Sequence, residues 1–239
     1  MARMIIFEGA DCTGKTRLIQ ELQSWLATQQ GMGTRVRHHG PYKQSINSVA
    51  HHYRYSIECA MDHRNKITFL DRSWLSEYPY SVLFRGVKPR LTELAHAQLE
   101  LGAAELKAVV VYCLPSEPVA ACNMFLKRKV AGEEIELSQL RWHMINAAFA
   151  LGFCRSKGFN FAEKTFVPGV DAVSSDAKAM VLQHEDDQTP VLPITKLPCL
   201  AYDMFDMAKQ INGGMHKRDY LGRLWHDITS VMYAKYKRI

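Results

Sequence analysis

The stretch FEGADCTGKT, residues 7–16, decides how the rest of the sequence is interpreted. It fits the pattern G-x-x-x-x-G-K-[ST], with Gly9, Gly14, Lys15 and Thr16 in register. Two glycines let a backbone wrap closely around an anion, so that successive N–H groups and the next helix N-terminus face phosphate oxygens. In this pattern the lysine reaches the β- and γ-phosphates, and the threonine hydroxyl completes a Mg²⁺ site. The stretch therefore predicts a phosphate-binding loop, or P-loop.

The sequence on both sides of the stretch supports this prediction. Residues 3–8 contain a short apolar run, as expected of a buried strand. After Thr16, apolar residues recur at helical spacing until Gly31 and Gly33 end the helix. A strand, a glycine-bounded loop and a helix in this order are the context that a P-loop requires. The candidate ligands of the ATP phosphates are Gly9, Asp11, Cys12, Thr13, Gly14, Lys15 and Thr16.

Composition is typical of a soluble globular protein. The chain has 239 residues, of which 47% are hydrophobic and 23% charged, enough for one sizeable core. It contains no run of 18 apolar residues and no cleavable apolar segment at its start, so we expect a cytoplasmic protein without a membrane anchor. The six cysteines form no C-x-x-C pair and are expected to be reduced thiols.

Positive charge is concentrated towards the C-terminus. The formal net charge is +6 at pH 7, which suits nucleotides or nucleic acid as partners. Residues 207–239 carry seven lysines and arginines against two aspartates. A nucleotide substrate is the first expectation, and DNA held by this basic segment is the second.

Alternating patterns along the chain indicate the fold class. Strands are predicted at residues 34–39, 66–70, 108–113 and near 165–167, and helices at about 45–59, 92–105, 117–125, 136–154 and from 174. Strands alternating with helices predict an α/β protein, a P-loop NTPase fold with a parallel, doubly wound sheet. We expect residues 1–185 to form the P-loop domain. Residues 186–239 are expected to form a linker and a helical extension packed on it, with helices at about 199–211 and 218–236.

Asp71 and Arg72 directly follow the strand predicted at 66–70. Ligands of open α/β sheets bind outside the carboxyl ends of the strands, so these two side chains are expected to face the same crevice as the P-loop. Such an arrangement suggests phosphoryl transfer, in which positioning and charge stabilisation carry the catalysis. Thr16 and Asp71 are the candidate Mg²⁺ ligands, directly or through water. Lys15 would neutralise the donor phosphates, and the fork of Arg72 would clamp an acceptor phosphate.

At these residues the sequence resembles thymidylate kinase and its deoxynucleoside monophosphate kinase relatives, many of them encoded by bacteriophages. The family opens with a strand ending in Phe-Glu-Gly followed by the P-loop, as in residues 7–16, and has a second Asp-Arg signature, as in Asp71-Arg72 followed by Ser76. The resemblance covers roughly residues 1–170 and implies an ATP- and Mg²⁺-dependent kinase. It also implies that Asp11 accepts from the sugar 3′-hydroxyl of the monophosphate and that Arg72 meets its phosphate. Relatives are commonly dimers, so a homodimer is expected, and the host cytoplasm is the expected location if a phage encodes the chain.

The sequence departs from the family pattern at three further points besides Cys12, which stands where the family has glycine. The second strand ends in Arg37-His38-His39-Gly40-Pro41 where relatives have Arg-Glu-Pro-Gly, so Arg37 is the candidate contact to the acceptor phosphate there. Residues 127–129, Lys-Arg-Lys, have the position of the family's lid, and Arg128 is our candidate for its catalytic residue. The segment after about residue 190 lies outside the family outline.

Recognition of the base is expected from the aromatic, arginine-rich loop between Trp74 and Arg90. An aromatic face can stack on a pyrimidine, and an arginine can read a carbonyl oxygen. Arg85 and Arg90 are the candidate residues for that contact. Aromatic side chains at this density also suit a hydrophobic core.

Three functions fit these patterns. The first is phosphorylation of dTMP or a related pyrimidine deoxynucleoside monophosphate to the diphosphate. The second is a P-loop kinase that phosphorylates a modified pyrimidine, such as hydroxymethyluracil, within DNA. The third is a nucleotide-binding module without catalysis, against which Asp11, Lys15 and the pair Asp71-Arg72 argue together.

Overall fold

The computed structural model describes residues 3–40, 46–128, 135–159, 167–186 and 190–236. Its strands are β1 (Met4–Glu8), β2 (Thr34–His38), β3 (Ile67–Asp71), β4 (Val109–Cys113) and β5 (Cys199–Tyr202). Its helices are α1 (Lys15–Gln30), α2 (Ile46–Asp62), α3 (Glu77–Pro79), α4 (Glu93–Glu105), α5 (Pro118–Leu126), α6 (Ile135–Lys157), α7 (Pro168–Asp171), α8 (Ser175–Asp186), α9 (Met204–Asn212) and α10 (Lys217–Tyr236). A 3₁₀ turn at Trp74–Ser76 precedes α3, and a π-helical turn at Tyr80–Phe84 follows it.

The five strands form one parallel sheet in the order β2-β3-β1-β4-β5. β1 lies at its centre, with Phe7 opposite Asp71 of β3 and Val111 of β4. All carboxyl ends therefore point to one edge, where the P-loop leaves β1 beside the end of β3. The register thus brings the two motifs of the sequence to one crevice.

Successive side chains of β1 enter two different cores. Met4 and Ile6 pack in a cluster with residues of α2, α4 and α6, whereas Ile5 and Phe7 pack in a cluster with residues of α1 and α10. A strand buried on both faces reads as a continuous apolar run, which is what residues 4–7 show. The predicted α/β class, a parallel sheet covered by helices on both faces with a P-loop after its central strand, is confirmed.

Residues 199–202 form β5, although the sequence pattern predicts a helix from about residue 199. The helix α9 begins only at Met204, where the Asp203 carboxylate accepts a hydrogen bond from the Phe205 N–H over 3.0 Å. The strand itself pairs with β4, from Val110 opposite Cys199 onwards. The segment predicted as an extension therefore supplies a strand of the sheet and two helices. Of the strand predicted near 165–167, only Val167 lies within the described residues.

All six cysteines are free thiols, as expected, and five of them are buried. Within the described ranges, no helix has both the length and the apolar character needed to cross a bilayer.

Candidate functional site

The P-loop backbone turns at two glycines with positive φ angles. Gly9 has φ 144° and Gly14 has φ 87°. A Cβ atom on Gly9 would lie 2.6 Å from the Cys113 carbonyl oxygen, and one on Gly14 would lie 2.9 Å from the Met204 sulfur. Glycine at both positions therefore lets the loop pass against the end of β4 and the start of α9.

Cys12 also has a positive φ, 61°, although it carries a side chain. This conformation costs roughly 1–2 kcal/mol in a residue other than glycine. Burial raises the pKa of the Cys12 thiol, and the neighbouring Arg128 guanidinium, which hydrogen-bonds to the thiol, opposes that rise. Arg128, the predicted lid residue, therefore lies beside the P-loop. Lys127 is exposed, and Lys129 lies outside the described residues.

The Lys15 side chain folds back onto the loop that precedes it. Its ammonium donates hydrogen bonds to the Gly9 and Ala10 carbonyl oxygens over 2.9 and 2.6 Å, and the residue is only 6% exposed. Burial lowers the pKa of Lys15, and the nearby positive charge of Arg72 lowers it further. A phosphate anion in the loop would oppose both effects on this pKa.

Thr16 and Asp71 meet across the start of α1 and the end of β3. The Thr16 hydroxyl donates a hydrogen bond to Asp71 Oδ2 over 2.8 Å, and His38 Nδ1 lies 3.1 Å from the same oxygen. A hydroxyl and a carboxylate beside a phosphate cradle fit Mg²⁺, which is commonly held by one or two carboxylates together with substrate phosphates. Among the described residues, no group of three or more His, Cys, Asp or Glu side chains is arranged to hold a metal. Phosphate oxygens and water would have to complete the coordination.

Asp11, Arg72 and Tyr80 form a compact polar group. The Arg72 guanidinium donates a hydrogen bond to Asp11 Oδ1, and the Tyr80 hydroxyl donates one to Asp11 Oδ2 over 3.2 Å. The same guanidinium lies 4.5 Å from the centroid of the Tyr80 ring. Burial raises the pKa of Asp11, but the charges of Arg72 and Lys15 and the hydrogen bonds outweigh it, so the pKa is lowered. Arg72 has φ 71°, and backbone strain of this kind clusters at functional sites.

Glu8, the last residue of β1, anchors the segment after β3. Its fully buried carboxylate accepts hydrogen bonds of 2.6 Å from the Ser73 N–H, the Ser73 hydroxyl and the Ser76 hydroxyl. Burial raises the pKa of Glu8 despite these donors. The contacts tie the turn that carries Arg72 to the strand that carries the P-loop, and they fix the separation of the two motifs.

Two cavities of about 290 Å³ each lie on either side of the polar group formed by Asp11, Arg72 and Tyr80. The P-loop cavity is lined by Asp11, Cys12, Gly14, Lys15, Thr16, Arg17, His38, Asp71, Arg72, Met124, Arg128 and Met204. The aromatic cavity is lined by Asp11, His38, His39, Gly40, Tyr53, Arg72, Ser76, Glu77, Tyr80, Phe84, Arg85, Phe125, Ser138, Arg141, Trp142 and Ile145. Asp11, His38 and Arg72 belong to both linings. These three side chains form the wall between the cavities.

Arg37, which is one of the described residues, lines neither of these two cavities. Its guanidinium donates a hydrogen bond to the Cys59 sulfur over 3.2 Å and lies 5.2 Å from the centroid of the Tyr55 ring. Side chains alternate along a strand, so the next residue of β2, His38, faces the crevice instead. The structure brings His38 and His39 to the place at which the sequence predicts Arg37.

Arg85 and Arg90, the candidates for base recognition, both approach the buried Glu77 carboxylate. Arg90 donates hydrogen bonds to both Glu77 oxygens, over 3.0 Å from Nε and 2.9 Å from Nη2. Arg85 Nη2 lies 3.6 Å from Glu77, and this side chain lines the aromatic cavity. Arg90 is thus held in an ion pair, while Arg85 is adjacent to the space in which a base could bind.

A third cavity of about 320 Å³, the β5 cavity, opens at the carboxyl ends of β4 and β5 and is lined partly by α9 and α10. Asp203 lines this cavity, and the next residue, Met204, lines the P-loop cavity. Asp203 Oδ2 is buried without a hydrogen-bond partner among the described residues. A polar space therefore lies next to the phosphate cradle on the β5 side.

Among known proteins, the chain is similar to solved structures. No protein-family model matches the chain, and no curated protein matches it. Among solved structures, it is similar to the YorR protein from Bacillus subtilis in complex with phosphorylated GDP, with 18% sequence identity and a TM-score of 0.41. The similarity covers 77% of this chain and 97% of that chain.

Several residues of the site are absent from the sequence-based prediction. Glu8 is the one polar residue of an otherwise apolar strand, which is a signal that could have been used. Tyr80 belongs to the predicted aromatic loop, in which nothing in the sequence distinguishes it from the other aromatic residues. Whether the His38 side chain enters the crevice depends on which face of β2 meets it. Trp142 lies on α6, far from the P-loop along the chain. Neither residue is identified by its local sequence.

Proposed function

We propose that this protein is an ATP- and Mg²⁺-dependent kinase that phosphorylates a deoxynucleoside 5′-monophosphate, dTMP or a related pyrimidine nucleotide, to the diphosphate. The observation that carries the proposal is the wall of Asp11, His38 and Arg72 shared by the P-loop cavity and the aromatic cavity. A transferase needs donor and acceptor sites that meet at one point, and these side chains lie at such a point.

The donor phosphates would occupy the P-loop cavity. Lys15 would turn from the Gly9 and Ala10 carbonyls to the phosphate oxygens, and Arg128 would approach from the opposite side. Thr16 and Asp71 would hold Mg²⁺, which supplies charge neutralisation at the transferred phosphoryl group. The donor base would extend into the adjacent β5 cavity.

The acceptor would occupy the aromatic cavity. Tyr80, Phe84 and Phe125 line it and offer ring faces or edges to a pyrimidine, with Arg85 beside them. Arg72 would exchange its bond to Asp11 for the acceptor phosphate, and Asp11 would then accept from a sugar hydroxyl. Charged donors in such a partly buried place hold a phosphate more strongly than in water.

A panel assay of ADP release tests the proposal. The purified protein is incubated with ATP, Mg²⁺ and each ribo- and deoxynucleoside monophosphate in turn. We expect the highest kcat/KM with dTMP or a pyrimidine relative. Absence of turnover with every monophosphate would refute the proposal.

Transfer to DNA is a second candidate, and the exposed cations on α10 favour it. Arg218, Arg223 and Lys235 are exposed, whereas Lys209 and Lys217 lie 3.1 and 2.7 Å from Glu117 and Glu21. Duplex DNA containing hydroxymethyluracil is therefore included as an acceptor. Phosphate incorporation into that DNA, with binding that weakens steeply as salt rises, would identify this activity.

A further inference from the structure

Trp142 connects α6 to the P-loop. It is 2% exposed, and its indole Nε1–H donates a hydrogen bond to the Asp11 carbonyl oxygen over 2.9 Å. The two residues are 131 positions apart in the chain, so the bond depends on the tertiary fold. It is directed at the backbone of the loop and leaves the Asp11 carboxylate to Arg72 and Tyr80.

The bond fixes the peptide that joins Asp11 to Cys12. A trans peptide is planar, with its C=O and N–H pointing in opposite directions. Because Trp142 holds the Asp11 carbonyl, the Cys12 N–H points in the opposite direction within the same plane, away from Trp142. Trp142 lines the aromatic cavity and Cys12 lines the P-loop cavity, so the peptide lies between the two spaces.

The peptide needs such support because Cys12 has a left-handed backbone. At φ 61° a residue with a Cβ is disfavoured, yet successive N–H groups that follow such a turn form a concavity for anions. A hydrogen bond from a rigid, buried indole can offset this cost. We propose that Trp142 is a positioning residue that orients the Cys12 N–H towards the donor phosphates. The proposal rests on the proposed function, since it assigns phosphates to the P-loop cavity.

Binding of inorganic tripolyphosphate, measured by calorimetry, tests the proposal without turnover. Trp142→Phe keeps most of the ring and removes the N–H, and we expect about tenfold weaker binding, as for one hydrogen bond to a charged group. Trp25→Phe is the matched control, because the Trp25 Nε1–H is buried without a partner among the described residues. It should leave the affinity within twofold of the wild type. Equal affinities of Trp142→Phe and the wild type would overturn the proposal.

A second substitution separates positioning from packing. Glycine adopts a left-handed backbone without the Cβ penalty, so Cys12→Gly in the Trp142→Phe background should restore tripolyphosphate binding to within about threefold of the wild type. In turnover assays, Trp142→Phe should raise the KM for ATP more than the KM for the acceptor. If Cys12→Gly failed to restore binding, the result would show that Trp142 acts only through packing, and the proposal would be overturned.

Measurements on the wild-type protein cover the case in which Trp142→Phe does not fold. With ¹⁵N-labelled tryptophan, the Trp142 indole resonance should shift on addition of tripolyphosphate, whereas the Trp25 resonance should stay. An unmoved Trp142 resonance in a protein that binds tripolyphosphate counts against the proposal. Wild-type protein that binds tripolyphosphate but phosphorylates nothing would refute the kinase function alone, and wild-type protein that phosphorylates a monophosphate but does not bind tripolyphosphate would overturn the role of Trp142 alone.

Discussion

The Arg72 guanidinium donates a hydrogen bond to the Asp11 carboxylate, which joins the end of β3 to the centre of the P-loop. These two side chains, which we propose to bind the acceptor, therefore neutralise each other. In the proposed kinase, the acceptor phosphate would compete with Asp11 for Arg72, and a sugar hydroxyl would take the position that Arg72 leaves. Such an exchange would make the affinity for the acceptor depend on both residues.

Asp11→Ala should chiefly weaken use of the acceptor. The substitution removes the oxygen that would accept from the sugar hydroxyl, while Lys15 and Thr16 remain to bind the donor. We expect the KM of the acceptor to rise about tenfold or more, as for loss of a hydrogen bond to a charged group, and the KM of ATP to stay within about twofold. Steady-state kinetics with each substrate varied in turn measure both constants. Asp176→Ala, which removes an exposed carboxylate, is the control. A silent Asp11→Ala would mean that the sugar assignment is wrong.

Lys15→Ala should lower turnover with every acceptor. Its ammonium is buried at the loop and would stabilise charge on the transferred phosphoryl group, a contribution that is commonly worth about 10²-fold in kcat. Turnover should fall by the same factor with each acceptor tested alone and with all acceptors mixed, because every one of these reactions uses the same donor site. The exposed Lys196 provides the control variant Lys196→Ala. A loss confined to one acceptor would contradict a donor role.

Asp71→Asn should increase the Mg²⁺ concentration needed for activity. Thr16 and Asp71 lie 2.8 Å apart, and the amide retains the hydrogen bond but loses the charge that attracts the cation. We expect the half-saturating Mg²⁺ concentration to rise about tenfold, and EDTA to abolish activity in both proteins. Titration of initial rates with Mg²⁺ measures the shift, with Asp219→Asn as the exposed control. An unchanged Mg²⁺ dependence would show that Asp71 does not bind the metal.

The first strand, the P-loop and α1 could be predicted because their signals are local. Residues 4–30 contain an apolar run, two glycines at fixed spacing and a helical periodicity, each of which can be recognised without knowledge of the rest of the chain. The end of β3 was equally clear, since Asp71 and Arg72 follow an apolar strand.

The remainder of the site depends on contacts between distant segments. The four-residue β5 is defined by its pairing with β4, which no local pattern reveals. On β2 the choice between Arg37 and His38 depends on which face of the strand meets the crevice. Arg90 is held by Glu77, a neighbour in space that its own sequence context does not identify.

His39 should make stability fall as the pH is lowered from about 6.5 to 4. Burial, together with the charges of His38 and Arg37, lowers the pKa of His39 to about 4. The unfolded chain takes up a proton near pH 6.5, whereas the native protein stays unprotonated until about pH 4. Stability is therefore lost through this interval as the pH falls, by about 2 to 3 kcal/mol. Urea unfolding at several pH values measures it.

The contribution of His39 is isolated by comparison with His39→Gln. Glutamine can still hydrogen-bond to the Ser56 hydroxyl, which lies 3.1 Å from His39 Nε2, but it does not titrate. The difference in unfolding free energy between the two proteins should change between pH 6.5 and 4 and be constant above pH 7. A constant difference throughout would show that His39 is not the group responsible.

Gly9→Ala should destabilise the protein strongly, because the backbone conformation of Gly9 disfavours a side chain and the added Cβ would clash with a neighbouring atom. The residue has φ 144°, and a Cβ would lie 2.6 Å from the Cys113 carbonyl oxygen, a backbone atom fixed at the end of β4. We expect the free energy of unfolding to drop by about 3 kcal/mol or more. Gly31→Ala is the matched control, since Gly31 has φ 60° with no heavy atom within 4 Å of its Cβ position, and it should cost only the left-handed penalty of about 1 kcal/mol. Because β4 and the P-loop touch at this point, equal losses in the two variants would mean that the close approach of Gly9 to Cys113 is not what fixes the cradle.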